Sequence, residues 1–153
     1  MLTAWLDWHR ATLALKCEGL SPDQLRARMV PPSELSLLGL VRHMAEVELG
    51  WFRRGVAGED ARYHWITDER ENAEFDDVET ADVDEAFDAW QAEVRRSREI
   101  VDATSTLDHT FRRERDGVDI SLRWVLCHMI EEYARHNGHA DLLRERADGS
   151  VGE

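Results

Sequence analysis

The sequence is short of the features that would brace, anchor or extend a chain. It has 153 residues but only two cysteines and three prolines, and among its 19 basic residues a single lysine, Lys16. Cys17 and Cys127 are too few and too far apart for a disulfide framework or a CxxC metal knuckle, so both are expected as small core hydrophobes. No apolar run approaches the ~20 residues of a spanning helix. Asp7 falls where a signal peptide would be basic and then apolar, and a soluble, cytoplasmic protein is expected. Runs of alternating β-branched residues are missing, which argues against a β architecture. Positive charge is scarce too: 32 acidic residues leave a formal net charge of -13. That balance repels phosphate backbones and anionic lipid headgroups, so neither nucleic acid nor a membrane surface is expected as a partner.

What is present is helical periodicity. At 42% hydrophobic content the chain can bury a core as one domain. A first helix over 2–18 carries Leu2, Leu6, His9 and Leu13 as a stripe that Trp5, Trp8 and Leu15 widen, and Gly19, Ser21 and Pro22 close it. Ser33 or Ser36 caps a second helix with the stripe Leu37, Leu40, Val41, Met44, Val47 and Trp51, ending near Gly55 and Gly58. Residues 59–81 read as a long acidic loop pinned by Tyr63, Trp65, Ile66 and Phe75. A third helix over 82–103 carries Val83, Phe87, Trp90, Val94 and Val101, its charges being mostly a solvated face. Residues 108–119 are turn-rich, with Asp116-Gly117 suggesting a short hairpin. Ser121 caps a long last helix reaching about Arg146, with Leu122, Val125, Met129, Tyr133, Ala140 and Leu143 on its stripe. The expected architecture is all-α, a four-helix bundle over 1–147 with a disordered tail at 148–153.

The polar residues on these stripes carry the chemistry. At about 100° per residue, with Val125 at zero, Glu132 lies near about -20° and His136 near about +20°, both pointing into the bundle. His139 and His128 lie at the stripe's edge, and Glu131 should be solvated. A buried carboxylate needs a cation, strong donors or a proton, because an uncompensated buried charge costs several kcal/mol. Glu132 and His136, at i and i+4, can reach one ion. His43, between Leu40 and Val47, offers a third ligand from the second helix, with Glu46 as a nearby supporting carboxylate. Two imidazoles and one carboxylate suit a divalent-metal site with an open position better than a closed structural one. Spacing alone equally allows an inert network, in which the histidines are hydrogen-bonded core residues and Glu132 pairs with Arg42, Arg123 or Arg135. His128 with Glu132 is an alternative i, i+4 ligand pair. His64 and His109 fall in expected loops, and His9 reads as a satisfied core residue.

The segments LLGLVRHMAEVELGWF and HMIEEYARHNGHADLLRE together resemble the DinB/YfiT-like metalloenzyme superfamily over nearly the whole chain. The RHxGHADLLRE ending is closest to a branch whose activity the resemblance leaves open, related to the N-terminal domain of mycothiol-dependent maleylpyruvate isomerase. The resemblance implies an up-down-down-up bundle with a divalent metal on His43, Glu132 and His136. Many members have three histidines, and Glu132 departs from that pattern toward the His-Glu-His set of the isomerase branch. Zinc is the expected metal, with nickel or manganese as alternatives. The resemblance further implies a low-molecular-weight thiol cosubstrate, mycothiol being favoured by the arginine-for-lysine bias, and S-transfer to or isomerisation of a small electrophile. His128, His139 and Glu46 are the candidates for groups near the reacting atoms. Alternative readings keep the bundle but make it a non-catalytic binder of a metal or small molecule, or a thiol-independent metal-dependent hydrolase. A homodimer through helix faces bearing Trp5, Trp8 or Trp90 is a further expectation.

Overall fold

The computed structural model describes residues 1–113 and 115–152; Glu114, inside the expected hairpin, and Glu153, in the expected tail, lie outside the described residues. All the long helices but the first begin where a polar side chain takes over an orphan backbone N–H group. Helix α1 spans Leu2–Cys17. Ser21 and Gln24 then cap each other reciprocally at a short helix α2, Pro22–Arg26, with proline in its first turn. Of the two serines weighed for the next cap, Ser36 serves: its hydroxyl accepts from the Gly39 N–H at 3.1 Å and starts α3, Leu37–Glu48. After another short helix, α4 (Ala73–Asp76), Asp82 caps α5, Val83–Ala103. Ser121 caps α6, Leu122–Asp148, by accepting from the Trp124 N–H at 3.2 Å. Gly149, at φ 82°, ends that helix in the left-handed conformation.

The second long helix does not stop at Glu48. It continues as a π-helix over Leu49–Val56, an unusually long stretch for a conformation normally seen as a single turn. The stripe expected from periodicity therefore runs on through Trp51, but with its backbone rotated from α-helical register. Between α5 and α6 the strands β1 (Thr110–Arg112) and β2 (Asp119–Ser121) pair antiparallel, with Phe111 opposite Ile120.

Helix α1 packs chiefly on α6 and α3 chiefly on α5, while α3–α6 contacts join the two pairs. Leu6, Leu13, Leu38, Leu40, Met44, Val125 and Met129 are buried between them. One polar network crosses this core. Arg10 from α1 donates from Nε and Nη2 to the two oxygens of Glu48 from α3 at 2.8 and 2.7 Å. The Tyr133 hydroxyl from α6 donates to Glu48 Oε1 at 2.8 Å and accepts from Trp90 Nε1 of α5 at 2.9 Å. Each long helix thus contributes one member. Burial alone would lower the Arg10 pKa, but the Glu48 carboxylate more than reverses it. Burial, then the Glu48 charge, push the Tyr133 phenol well above its ordinary value.

Several expectations change. Cys127 is exposed; Cys17 is buried, and burial pushes its thiol up to about 12, so it is inert as a nucleophile at neutral pH. Trp5, Trp8 and Leu15 do not widen the α1 stripe but face solvent, because the buried angle of that helix is taken by Leu6, Arg10, Leu13 and Cys17. Trp90 is buried with its indole N–H on Tyr133, which removes it as a docking residue. The charges of α5 are mostly solvated as expected, the exception being Glu93, which is buried where it meets Arg53 and His64. The acidic loop includes α4 and a bridge between Thr67 and Arg70. No helix among the described residues is long and apolar enough to cross a membrane.

Candidate metal centre

Helix α3 carries His43, and α6 carries Glu132 and His136 one turn apart. One ligand atom from each of the three falls within 4.8 Å of the others. The His43 and His136 rings meet edge to face with centroids 4.8 Å apart, and His136 Nε2 lies 3.4 Å from Glu132 Oε2. These three are the residues brought together from the sequence stripe.

The hydrogen bonds behind them decide which atoms face inward. His43 Nδ1 lies 3.2 Å from Glu74 Oε1, so an Nδ1–H donated to that buried carboxylate leaves Nε2 for the cluster. His136 Nδ1 lies 3.3 Å from His139 Nδ1, and a proton on the former leaves His136 Nε2 unprotonated beside Glu132. Burial, reinforced by the neighbouring His43, holds His136 down to about 4, which keeps it neutral at physiological pH. Two imidazole nitrogens and a carboxylate oxygen are donors that a divalent cation takes, so the residues present fit one. Buried Glu74 Oε2 has no hydrogen-bond partner among the described residues, which leaves that carboxylate with spare acceptor capacity behind His43.

Glu132 is paired with Arg135 at 3.0 Å. That arginine is half exposed, unlike the buried counter-ion an inert network would call for. Arg42 instead stacks over Trp65 at 4.6 Å, and Arg123 binds Asp108. His128 approaches Glu132 Oε1 only to 3.8 Å. Its ring is stacked on Trp124, centroids 4.7 Å apart, and meets Trp51 edge-on. His9 is linked to α6 through Asn137, which donates to the His9 carbonyl at 3.1 Å, and His109 is exposed.

Glu46 does not support His43. Its carboxylate accepts from three successive backbone N–H groups, His64 at 3.0 Å, Trp65 at 2.7 Å and Ile66 at 3.2 Å, and so fastens the acidic loop onto α3. Glu74 is the residue that sequence reasoning passed over. It lies in the segment read as an irregular loop, and only α4, packed on α3, carries it to the histidine. A second loop fastener is His64, which is exposed as expected but also bonds Glu93 through Nε2 at 3.0 Å. That bond raises the His64 pKa.

Beside the cluster is a cavity of about 1150 Å³ whose wall includes His43, Glu46, Trp51, Tyr63, Trp124 and His128. The π-helix builds one side of it. A β-carbon on Gly55 would come within 2.8 Å of the Phe111 ring and one on Gly50 within 3.1 Å of the Tyr63 hydroxyl, so glycine at both positions lets the hairpin and the loop close onto that helix.

The helical fold and the cluster of His43, Glu132 and His136 between α3 and α6 agree with a protein of the DinB-like class. Within that class the chain belongs to the mycothiol S-transferase family, whose model matches residues 1–149. No curated protein and no solved structure matches it significantly.

Proposed function

We propose that the chain is a divalent-metal-dependent S-transferase that joins a low-molecular-weight thiol of the mycothiol type to a small electrophile, acting in the cytoplasm as a single bundle domain of up-down-down-up topology over 1–147. The observation that carries the reading is the convergence of ligand atoms from His43, Glu132 and His136 beside an open cavity. Membership of the mycothiol S-transferase family supports the thiol.

In this reading His43 Nε2, His136 Nε2 and a Glu132 oxygen hold the ion, with Glu74 and His139 fixing the two rings from behind. A bound zinc or similar ion supplies Lewis acidity, which lowers the pKa of a thiol brought to it. His128, clamped between Trp124 and Trp51, presents its ring to the cavity near the reacting atoms. The sulfur forms a new bond to carbon. Either a leaving group departs with its electron pair and the thiol proton goes to solvent, or a C=C π bond breaks and that proton ends on the adjacent carbon. Neither cysteine of the chain takes part.

The test is elemental analysis of protein purified without chelators or a histidine tag, alongside Glu132→Ala and His136→Ala, followed by mycothiol conjugation against a panel of electrophiles. About one divalent ion per chain, lost in both variants, with a conjugate formed only by loaded protein, is the expected result. No ion after reloading with zinc, nickel or manganese overturns the metal site. Loaded protein that conjugates nothing but turns over esters favours a hydrolase, and a tight complex recovered unchanged favours a binder.

A further inference from the structure

The cavity wall is basic in a chain that is not. With 19 basic residues against 32 acidic ones, positive charge is scarce, yet three of the four residues in 112–115 are arginine. All three line the cavity that His43 and His128 also line. The acidic groups of the same wall are largely engaged. Glu46 accepts three backbone N–H groups, and Glu59 is held by Arg53 at 2.7 Å and Arg96 at 2.6 Å, leaving Asp60.

The hairpin arginines retain donors. Arg113 grips both oxygens of Asp116, through Nε at 2.9 Å and through Nη2, so its free donors are mainly those of Nη1, and its guanidinium lies 6.0 Å from the Trp124 ring centroid. Arg112 has only a loose, solvent-exposed approach to Asp119 at 3.8 Å. Arg115 makes no hydrogen bond among the described residues. Each guanidinium carries five N–H donors in a planar fork that matches a carboxylate. Next to them Trp51, Phe111 and Trp124 provide flat apolar surface on the same wall.

Resting on the transferase reading, we propose that the electrophile is an acidic one: a small unsaturated or aromatic molecule bearing a carboxylate or similar oxyanion, which Arg112, Arg113 and Arg115 of the β1–β2 hairpin bind while its flat skeleton lies on the cavity aromatics. The cysteine of mycothiol is N-acetylated and amide-linked to an uncharged aminosugar-inositol, so that thiol has no carboxylate to offer. With an unsaturated acid the sulfur bonds to the β-carbon, the C=C π bond breaks and the thiol proton ends on the α-carbon, with no oxidant or reductant. The arginines hold and orient the acid and take no part in bond making.

The test has two arms, using wild type and the double variant Arg112→Gln/Arg115→Gln, whose fold is checked by circular dichroism. In the first, calorimetry compares 1-naphthoate with neutral 1-naphthamide on chelator-treated protein, so that no metal can capture the carboxylate. Naphthoate is expected to bind about tenfold or more tightly, less so as salt is raised, with the difference lost in the variant. Equal affinities, or a difference that survives in the variant, overturn the proposal. In the second, metal-loaded protein is given 3-benzoylacrylic acid or its methyl ester with mycothiol, N-acetylcysteine or N-acetylcysteine amide, each rate normalised to the uncatalysed one. An acid-to-ester preference in kcat/KM of about tenfold that collapses in the variant supports the assignment. Dependence on the arginines that follows the carboxylate of the thiol overturns it. Naphthoate binding as expected without any conjugation overturns the transferase reading, and the electrophile with it, while leaving an anion site.

Discussion

His43 and Glu74 lie 31 residues apart in sequence and 3.2 Å apart in space, imidazole Nδ1 to carboxylate Oε1. This contact fixes the tautomer and orientation of the one candidate ligand that α3 contributes. Replacing Glu74 by Gln keeps the packing and removes the charge, so zinc affinity measured by competition with a chromophoric chelator should fall by roughly 10–100-fold. Unchanged affinity would remove Glu74 from the site.

His128 and His136 both reach toward Glu132, but only His136 belongs to the converging set. His136→Ala should lose the ion on elemental analysis, whereas His128→Ala should keep it and lose conjugation rate. The reverse pattern would move the ligand role to His128.

Breaking the buried Arg10–Glu48–Tyr133–Trp90 network should be costly, because each deletion leaves a buried polar group without its partner. Tyr133→Phe strips one donor from Glu48 and the acceptor from Trp90, at an expected cost of about 1–3 kcal/mol in urea unfolding. Arg10→Met leaves Glu48 as a buried charge without its cation and should cost about 3–5 kcal/mol. A small effect of Arg10→Met would mean that Glu48 is protonated or hydrated in the folded state.

Glu46 fastens three consecutive amides of the loop wall. In Glu46→Ala, hydrogen exchange at His64, Trp65 and Ile66 should accelerate by about tenfold or more, in line with the loss of hydrogen bonds to a charged acceptor, while core amides of α6 keep their protection. Equal acceleration in both places would indicate global destabilisation instead.

His64 makes the loop attachment pH-dependent. Its hydrogen bond to Glu93 raises the folded pKa above the ordinary value of 6.5, so the folded state binds the proton more tightly than the unfolded one. The stabilisation is fully present below pH 6.5 and is lost as pH rises through the raised folded value. The gap in urea midpoint between wild type and His64→Gln should therefore be wide at pH 5.5 and narrow at pH 9. A gap that widens with pH would contradict the assignment.

The helices were legible because their signals are local. Ser121 caps where the sequence places a cap, Ser36 is one of the two serines expected there, the third long helix begins at the expected Asp82, and the stripe from Leu122 to Leu143 is periodic and buried. Leu37, Leu40 and Met44 behave likewise on α3. Periodicity failed where a charged residue occupied the buried angle. Arg10, Glu48 and Glu93 are buried against partners on other elements, which nothing local in the sequence reveals. The π-helix was equally hidden: its side chains still suggest a helix, and the change in hydrogen-bond register appears only in the backbone.

The candidate ligands divide along the same line. The i, i+4 spacing of Glu132 and His136 is a property of one helix, and the place of His43 between two buried apolar residues is a property of another, so the chain alone determined which side chains face inward. Only tertiary packing decided that the two helices bring their ligand atoms within 4.8 Å of one another, that α4 sets Glu74 behind His43, that Glu46 fastens a loop instead, and that the arginines of a remote hairpin line the cavity that His43 also lines. Periodicity fixes direction around a helix axis, whereas proximity between distant segments is set by how whole faces pack, and no local pattern carries that information.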